Sequence, residues 1–132
     1  MTIEEICQRA FENKYITAKL STTQKDDLIN RAADDLVKNT DQILSANEID
    51  MKNGKEKGLS QGLLDRLKLT AERIEGVADG MRQVASLPDP VGEVSRMWTR
   101  PNGLRIGKKS VPIGVIGVIY EARPNVTADV FS

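Results

Sequence analysis

The chain has 132 residues, 39% of them hydrophobic, 29% charged and only 4% aromatic, a balance that suits one soluble globular domain and excludes wholesale disorder. Nineteen Lys and Arg stand against nineteen Asp and Glu, so no overall field draws the chain to nucleic acid or to an anionic membrane. One cysteine and no histidine rule out an intramolecular disulfide, a serine–histidine–acid triad and the usual structural zinc ligand set. The lone thiol, Cys7, fits a reducing cytoplasm. Met1 to Glu5 lacks the basic and apolar regions of a secretory signal, and the longest apolar stretch, Val111 to Tyr120, is about half of a membrane span.

In chain order, Thr2-Ile3-Glu4-Glu5 has the form of a capping box. Ile3, Ile6, Ala10 and Phe11 follow at helical spacing. Cys7 lies beside that stripe and reads as a small core-filling thiol. A second helix opens near Ser21, and Leu28, Ile29, Ala32, Ala33, Leu36 and Val37 form a broad apolar face. Ile43 and Leu44 extend the pattern, so this helix runs on or restarts near Asn39-Thr40. Asn53-Gly54 and Gly58 predict an exposed turn. Leu63, Leu64 and Leu67 predict a short helix after Ser60. Thr70 opens a stronger one, with Ile74, Val77, Ala78, Met81, Val84 and Ala85 on one face. Gly76 and Gly80 weaken it by up to about 1 kcal/mol each relative to alanine. Pro88 and Pro90 end it, because proline lacks an N–H and pushes the preceding residue out of the helical region.

Beyond Pro90 the pattern changes. Trp98-Thr99-Arg100 and Leu104-Arg105-Ile106 are short extended segments around the turn signal Pro101-Asn102-Gly103. Val111 to Tyr120 carries β-branched residues at 111, 113, 115, 116, 118 and 119 with no polar alternation, as expected of a strand buried on both faces of a parallel sheet. A parallel partner requires a crossover of a dozen or more residues, usually a helix. Twelve residues follow Tyr120, and no earlier segment offers a matching strand. The strand is therefore expected to pair outside these residues, either with another chain or with a continuation of this one. Arg123 to Asp129 reads as a loop entering a helix, with Asn125 or Thr127 as its cap. From residue 96 onward six basic residues face two acidic ones, so the last quarter of the chain is basic. Without an aromatic stacking set, that charge does not indicate nucleic acid.

Two stretches carry a resemblance. Leu87-Pro88-Asp89-Pro90-Val91-Gly92-Glu93-Val94, with Trp98 and Arg100 to Ile106 behind it, resembles gamma-glutamyl phosphate reductase. Val111 to Thr127 is similar to the signature of that family over its whole length. The family, also called glutamate-5-semialdehyde dehydrogenase, belongs to the aldehyde dehydrogenase superfamily, and only its N-terminal part is represented. The resemblance implies an α/β fold: N-terminal helices over residues 1–90, extended arm and oligomerisation strands over 91–110, and over 111–132 the first strand and loop of a Rossmann-like parallel sheet, truncated.

It also implies an activity for the parent protein. A cysteine thiolate attacks L-glutamyl 5-phosphate and expels phosphate, and NADPH (the NADP cofactor) reduces the resulting thioester to L-glutamate 5-semialdehyde on the route to proline. The nucleophilic cysteine lies beyond Ser132, so no catalytic residue is expected in this chain, and the segment alone is expected to be inactive. Cys7 is not that residue. A small-molecule substrate, a homo-oligomer, a cytoplasmic location and a functional link to glutamate 5-kinase are implied, with no nucleic acid, membrane or metal.

Gly114 and Gly117 fall inside the apolar run and read as packing glycines rather than a dinucleotide turn. Ligands of open α/β sheets gather beyond the carboxyl ends of strands. By resemblance, Ile119, Tyr120, Glu121 and Ala122 border the cofactor, and an asparagine in the following loop donates to the oxyanion. Asn125 is the nearest asparagine, while an ungapped match puts Arg123 at that place. Arg123 also suits a bidentate clamp on the acyl phosphate. Structural alternatives are an Arg123 pair with Glu121 or Asp129, and Asn125 as a simple helix cap. The rival to the enzyme is a non-catalytic helical interaction module that docks its C-terminal strand on a partner sheet.

Overall fold

The computed structural model describes residues 1–121 and 123–132. Among the described residues, six helices and two strands follow one another: α1 (Ile3–Thr17), α2 (Thr22–Lys38), α3 (Thr40–Glu56), α4 (Gln61–Leu67), α5 (Ala71–Ala85), β1 (Val94–Thr99), β2 (Arg105–Lys109) and α6 (Val126–Phe131). They fall into two compact units. One comprises Met1–Thr22 and Pro88–Gly117, the other Thr23–Leu87 and Val118–Ser132.

In the first unit, α1 begins with the expected capping box: Thr2 N–H donates to Glu5 Oε2 at 2.8 Å, and Glu5 N–H donates to Thr2 Oγ1 at 3.2 Å. Its apolar stripe forms but stays uncovered, with Ile3, Ile6, Phe11 and Ile16 exposed and no buried residue in the helix. Cys7, expected as core filler, is exposed as well. The pattern identified a face correctly, but a face becomes core only where another surface covers it.

β1 and β2 form an antiparallel hairpin in which Trp98 faces Ile106 and Met97 faces Gly107. Its tip follows from the chemistry of Pro101-Asn102-Gly103. Gly103 N–H donates to the Arg100 carbonyl at 2.9 Å, closing a turn with proline at its second position, and Gly103 takes φ +85°. Only glycine adopts that region freely. The hairpin continues past β2 through Gly92 N–H to Ser110 O and Ser110 N–H to Glu93 O, both at 2.9 Å.

The expected strand at 111–120 is absent. The segment forms no ladder, Ile113 and Ile119 are 88% and 103% exposed, and Gly114 turns through φ +111°. A strand exists through its neighbours' N–H and C=O groups. None of the described residues supplies that edge to the run.

In the second unit, α2 and α5 pack through small side chains. Ala33, Ala78 and Met81 are buried together with Ala128 of α6, while Ile29, Ala32, Leu36, Val37 and Val77 close around them. Each side chain is modest, so the centre is thin, and Met81 is the largest of the four. Burying it contributes about 1.5–3 kcal/mol relative to leaving it exposed. Arg82 of α5 ties the helices at their edge, donating to Asp34 Oδ1 of α2 at 2.8 Å and to Asp79 Oδ1 at 2.9 Å. Asp34 first, and Asp79 after it, hold the guanidinium pKa above its ordinary value, so Arg82 stays charged.

Asn53-Gly54 is not a turn, because α3 runs through it to Glu56. The turn comes at Gly58, where φ is +74°. Gly58 N–H reaches Lys55 O and Leu59 N–H reaches Gly54 O, both at 3.0 Å, which is the doubly bonded αL ending of a helix. Leu59 thereby folds back over Gly54. A Cβ there would meet Leu59, Leu64 and Leu67 side-chain carbons at 3.0, 3.2 and 3.3 Å. Glycine at 54 serves close approach rather than a bend.

Candidate functional site: a cationic groove beside the 123–125 loop

The second unit brings the end of the chain against α4 and α5. Burial of Ala128 on Ala78 and Met81 seats α6, and α6 carries the 123–125 loop with it. The result is an open groove lined by Asp65, Arg66, Lys68, Arg73, Gly76, Gly80, Arg123, Asn125 and Asp129, among others. Four cations and two acids thus face one space.

Each wall is fixed by identifiable bonds. Asp65, Arg66 and Leu67 form the last turn of α4, and residues 68–70 connect it to α5 without regular structure; this stretch is held from two sides. From α3, buried Asn47 donates through Nδ2 to Leu67 O and accepts from Leu69 N–H, both at 2.8 Å. From α5, Arg73 Nη1 donates to Asp65 O at 2.6 Å and Lys68 O at 2.7 Å, with Nη2 3.4 Å from Asp65 Oδ1. Thr70 caps α5 by accepting from Arg73 N–H at 3.1 Å. Lys68 is therefore bracketed on both sides by anchored backbone. On α5, Gly76 and Gly80 lie one turn apart with open space where a Cβ would stand, so at these two positions the groove is lined by bare backbone, with Val77 beside them.

On the opposite wall, Asn125 occupies the N-cap position of α6 without making the side-chain cap bond. Its Nδ2 donates instead to Asp129 Oδ2 at 2.9 Å. That bond uses one of the two amide N–H donors and fixes which end of the amide is which. The alternative ion pairs for Arg123 are not formed: among the described residues its side chain meets neither Glu121 nor Asp129. Arg66, Lys68 and Arg123 all lack an ion pair among the described residues, whereas Arg73 and both acids are engaged.

Of the residues singled out in the sequence, Arg123 and Asn125 thus share one groove. Ile119, Tyr120 and Glu121 do not line it; they stand exposed, with the Tyr120 and Thr127 hydroxyls hydrogen-bonded to each other. Ala122 lies outside the described residues. Arg66, Lys68 and the Gly76–Gly80 pair were not singled out as site residues. Their signal was present as cations two apart at a helix exit and glycines four apart on one helix face. A larger groove beside this one, of about 600 Å³, is apolar and runs between α2, α5 and α6, with Ala32, Leu36, Ile43, Val77, Ala128 and Phe131 among its walls. The described residues contain no cluster able to hold a metal ion, and no helix among them is long and apolar enough to cross a membrane.

Comparison with solved structures gives the class first: the chain has the fold of part of a reductase. It superposes with a TM-score of 0.91 on a crystal structure from Thermotoga maritima, at 40% identity over 96% of this chain and 30% of that one. It does so equally well, with a TM-score of 0.91 and 33% identity, on a structure from Saccharomyces cerevisiae, covering 99% of this chain and 34% of that one. Both are gamma-glutamyl phosphate reductases. By sequence it is 54% identical to the gamma-glutamyl phosphate reductase of Thermodesulfovibrio yellowstonii and 53% identical to that of Geobacter metallireducens, over 93% and 98% of its length. In sequence and fold alike, then, the chain is similar to part of the gamma-glutamyl phosphate reductases, the family its two signature stretches resemble. It spans 29% and 32% of those two relatives. No family model matches it.

Proposed function

We propose that this chain is the N-terminal part of a reductase that converts L-glutamyl 5-phosphate to L-glutamate 5-semialdehyde and phosphate in proline biosynthesis. The observation that carries the reading is the joint likeness in sequence and fold to gamma-glutamyl phosphate reductases across nearly all of this chain. The cationic groove supports it chemically. An acyl phosphate needs cationic donors for its phosphoryl oxygens, and Arg123 offers a guanidinium that has no ion pair among the described residues and whose planar fork matches phosphate bidentately.

Reduction also develops negative charge on the carbonyl oxygen, which a pre-positioned N–H stabilises. Asn125 fits that part, because Asp129 fixes its amide and leaves one N–H free. The reductant in this reading is NADPH, which supplies hydride when bound. Ile119, Tyr120 and Glu121 provide an exposed apolar and phenolic edge for one side of a nicotinamide cofactor, with Ala122 beside them in sequence. The nucleophilic thiolate comes from the part of the protein that these residues do not include, and Cys7 takes no part. The complete protein is a soluble cytoplasmic homo-oligomer in this reading, and its acyl-phosphate substrate comes from glutamate 5-kinase.

The test is the reverse reaction of the complete protein: phosphate-dependent reduction of NADP by L-glutamate 5-semialdehyde. We expect activity from the complete protein and none from the 132-residue chain alone. Arg123→Gln should raise KM for phosphate about tenfold or more while leaving KM for NADP near its original value, since a charge-assisted pair has been lost. Absence of phosphate-dependent turnover, or equal losses for phosphate and NADP, would refute the assignment of Arg123.

A further inference from the structure

We infer that Arg66 and Lys68 bind the carboxylate at the amino-acid end of the substrate, so that the groove grips a molecule with two separated anionic groups; this rests on the reading above. Three observations combine. Arg66, Lys68 and Arg123 line one groove, and none has an ion-pair partner among the described residues. Cations gathered around one space repel one another, and an anion that enters relieves the repulsion. The cations also come from two walls, Arg66 and Lys68 from the α4–α5 junction and Arg123 from the loop before α6. A single small anion engages one wall, whereas a molecule carrying a phosphate at one end and a carboxylate at the other engages both.

The construction of the groove agrees with that use. The junction bearing Arg66 and Lys68 is held by Asn47 and Arg73, so both cations project from fixed backbone. Between the walls stand Gly76 and Gly80, which leave open space where side chains would project, with Val77 between them. Asp65 is paired with Arg73, and Asp129, which accepts from the neutral Asn125 amide and keeps its charge, forms no ion pair with Arg66 or Lys68 among the described residues, so four cations still outnumber two acids in the groove.

The reverse reaction separates the two ends of the substrate, because aldehyde and phosphate bind as different molecules. The experiment compares the complete protein with its Arg66→Gln/Lys68→Gln double variant, using L-glutamate 5-semialdehyde and butanal, which lacks the amino-acid head, as alternative aldehydes. Both replaced side chains are exposed and make no ion pair or side-chain hydrogen bond among the described residues, so the fold should be retained, which a matching far-UV circular dichroism melt verifies. We expect kcat/KM for the semialdehyde to fall about tenfold or more, with butanal and the KM for phosphate unchanged. An unchanged semialdehyde value, or equal falls for both aldehydes, overturns the inference while the reductase assignment stands. Absence of phosphate-dependent turnover in the unaltered protein overturns both.

Discussion

Asn47 offers the sharpest test of how the groove is built. It is 5% exposed and uses both ends of its amide on the α4–α5 junction, donating to Leu67 O and accepting from Leu69 N–H at 2.8 Å. Asn47→Ala removes both bonds and leaves a carbonyl and an N–H without partners. A hydrogen bond contributes about 0.5–1.5 kcal/mol net, and a stranded buried group costs about 1–3 kcal/mol. Water can reach part of this junction, so the loss should be about 2–3 kcal/mol, a fall of roughly 10 °C or more in Tm for a small domain. Circular dichroism at 222 nm during heating reads it directly.

Asn47→Asp separates the two bonds. The carboxylate still accepts from Leu69 N–H, but it faces the Leu67 carbonyl with charge instead of a donor. Burial and that carbonyl both raise the pKa of the new carboxyl in the folded state above the unfolded value of about 3.9. A group whose folded pKa is raised contributes stability below the unfolded pKa and loses it as pH rises through the folded one. The Asp variant should therefore approach the parent protein near pH 4 and fall below it at pH 7. A pH-independent deficit, or an Asn47→Ala variant that melts with the parent, would refute the two-bond account.

Three further outcomes follow from the same structure. Gly76→Ala should stabilise α5 by up to about 1 kcal/mol, since alanine is the better helix former and nothing stands within 4 Å of the new methyl. Gly54→Ala gains the same propensity but meets three leucines at 3.0–3.3 Å, so it should fall short of Gly76→Ala by about 1 kcal/mol or more in urea unfolding; equal shifts would remove the close-approach argument. The 132-residue chain alone should self-associate through its uncovered 111–119 run, and Ile113→Lys/Ile119→Lys should suppress that association in light scattering without lowering Tm, because both side chains are already exposed. Unchanged association would assign it to another surface.

What the sequence could and could not reveal follows from how far each signal reaches. Thr2 and Glu5, Ser60, and Thr70 announced three helix starts, because a cap is a bond between residues three apart, and each one forms. Pro101-Asn102-Gly103 likewise dictated the hairpin tip through backbone preferences of its own residues. Gly54 misled because glycine signals two different things, conformational freedom and lack of bulk. Choosing between them requires knowing that Leu59, Leu64 and Leu67 converge on it. The run 111–120 had the composition of an interior strand, but composition cannot provide the neighbouring edge, and the segment stays unladdered. Cys7 and the α1 stripe fail to become core for the same reason.

The groove shows that limit at its most consequential. Arg123 and Asn125 were singled out because they follow an apolar run in a signature stretch, where a ligand-binding loop is expected, and both line one groove. Arg66 and Lys68 were not, because in the sequence they are two more charges at the end of a short exposed helix. They acquire meaning only through Ala128, an unremarkable residue whose burial against Ala78 and Met81 docks α6 on α5 and carries Arg123 into the same groove. Glycines 76 and 80, costly to a helix on propensity alone, become intelligible there as well. On the proposed reading, the bare backbone at these two positions serves an extended ligand between the two cationic walls, which offsets the two helix penalties.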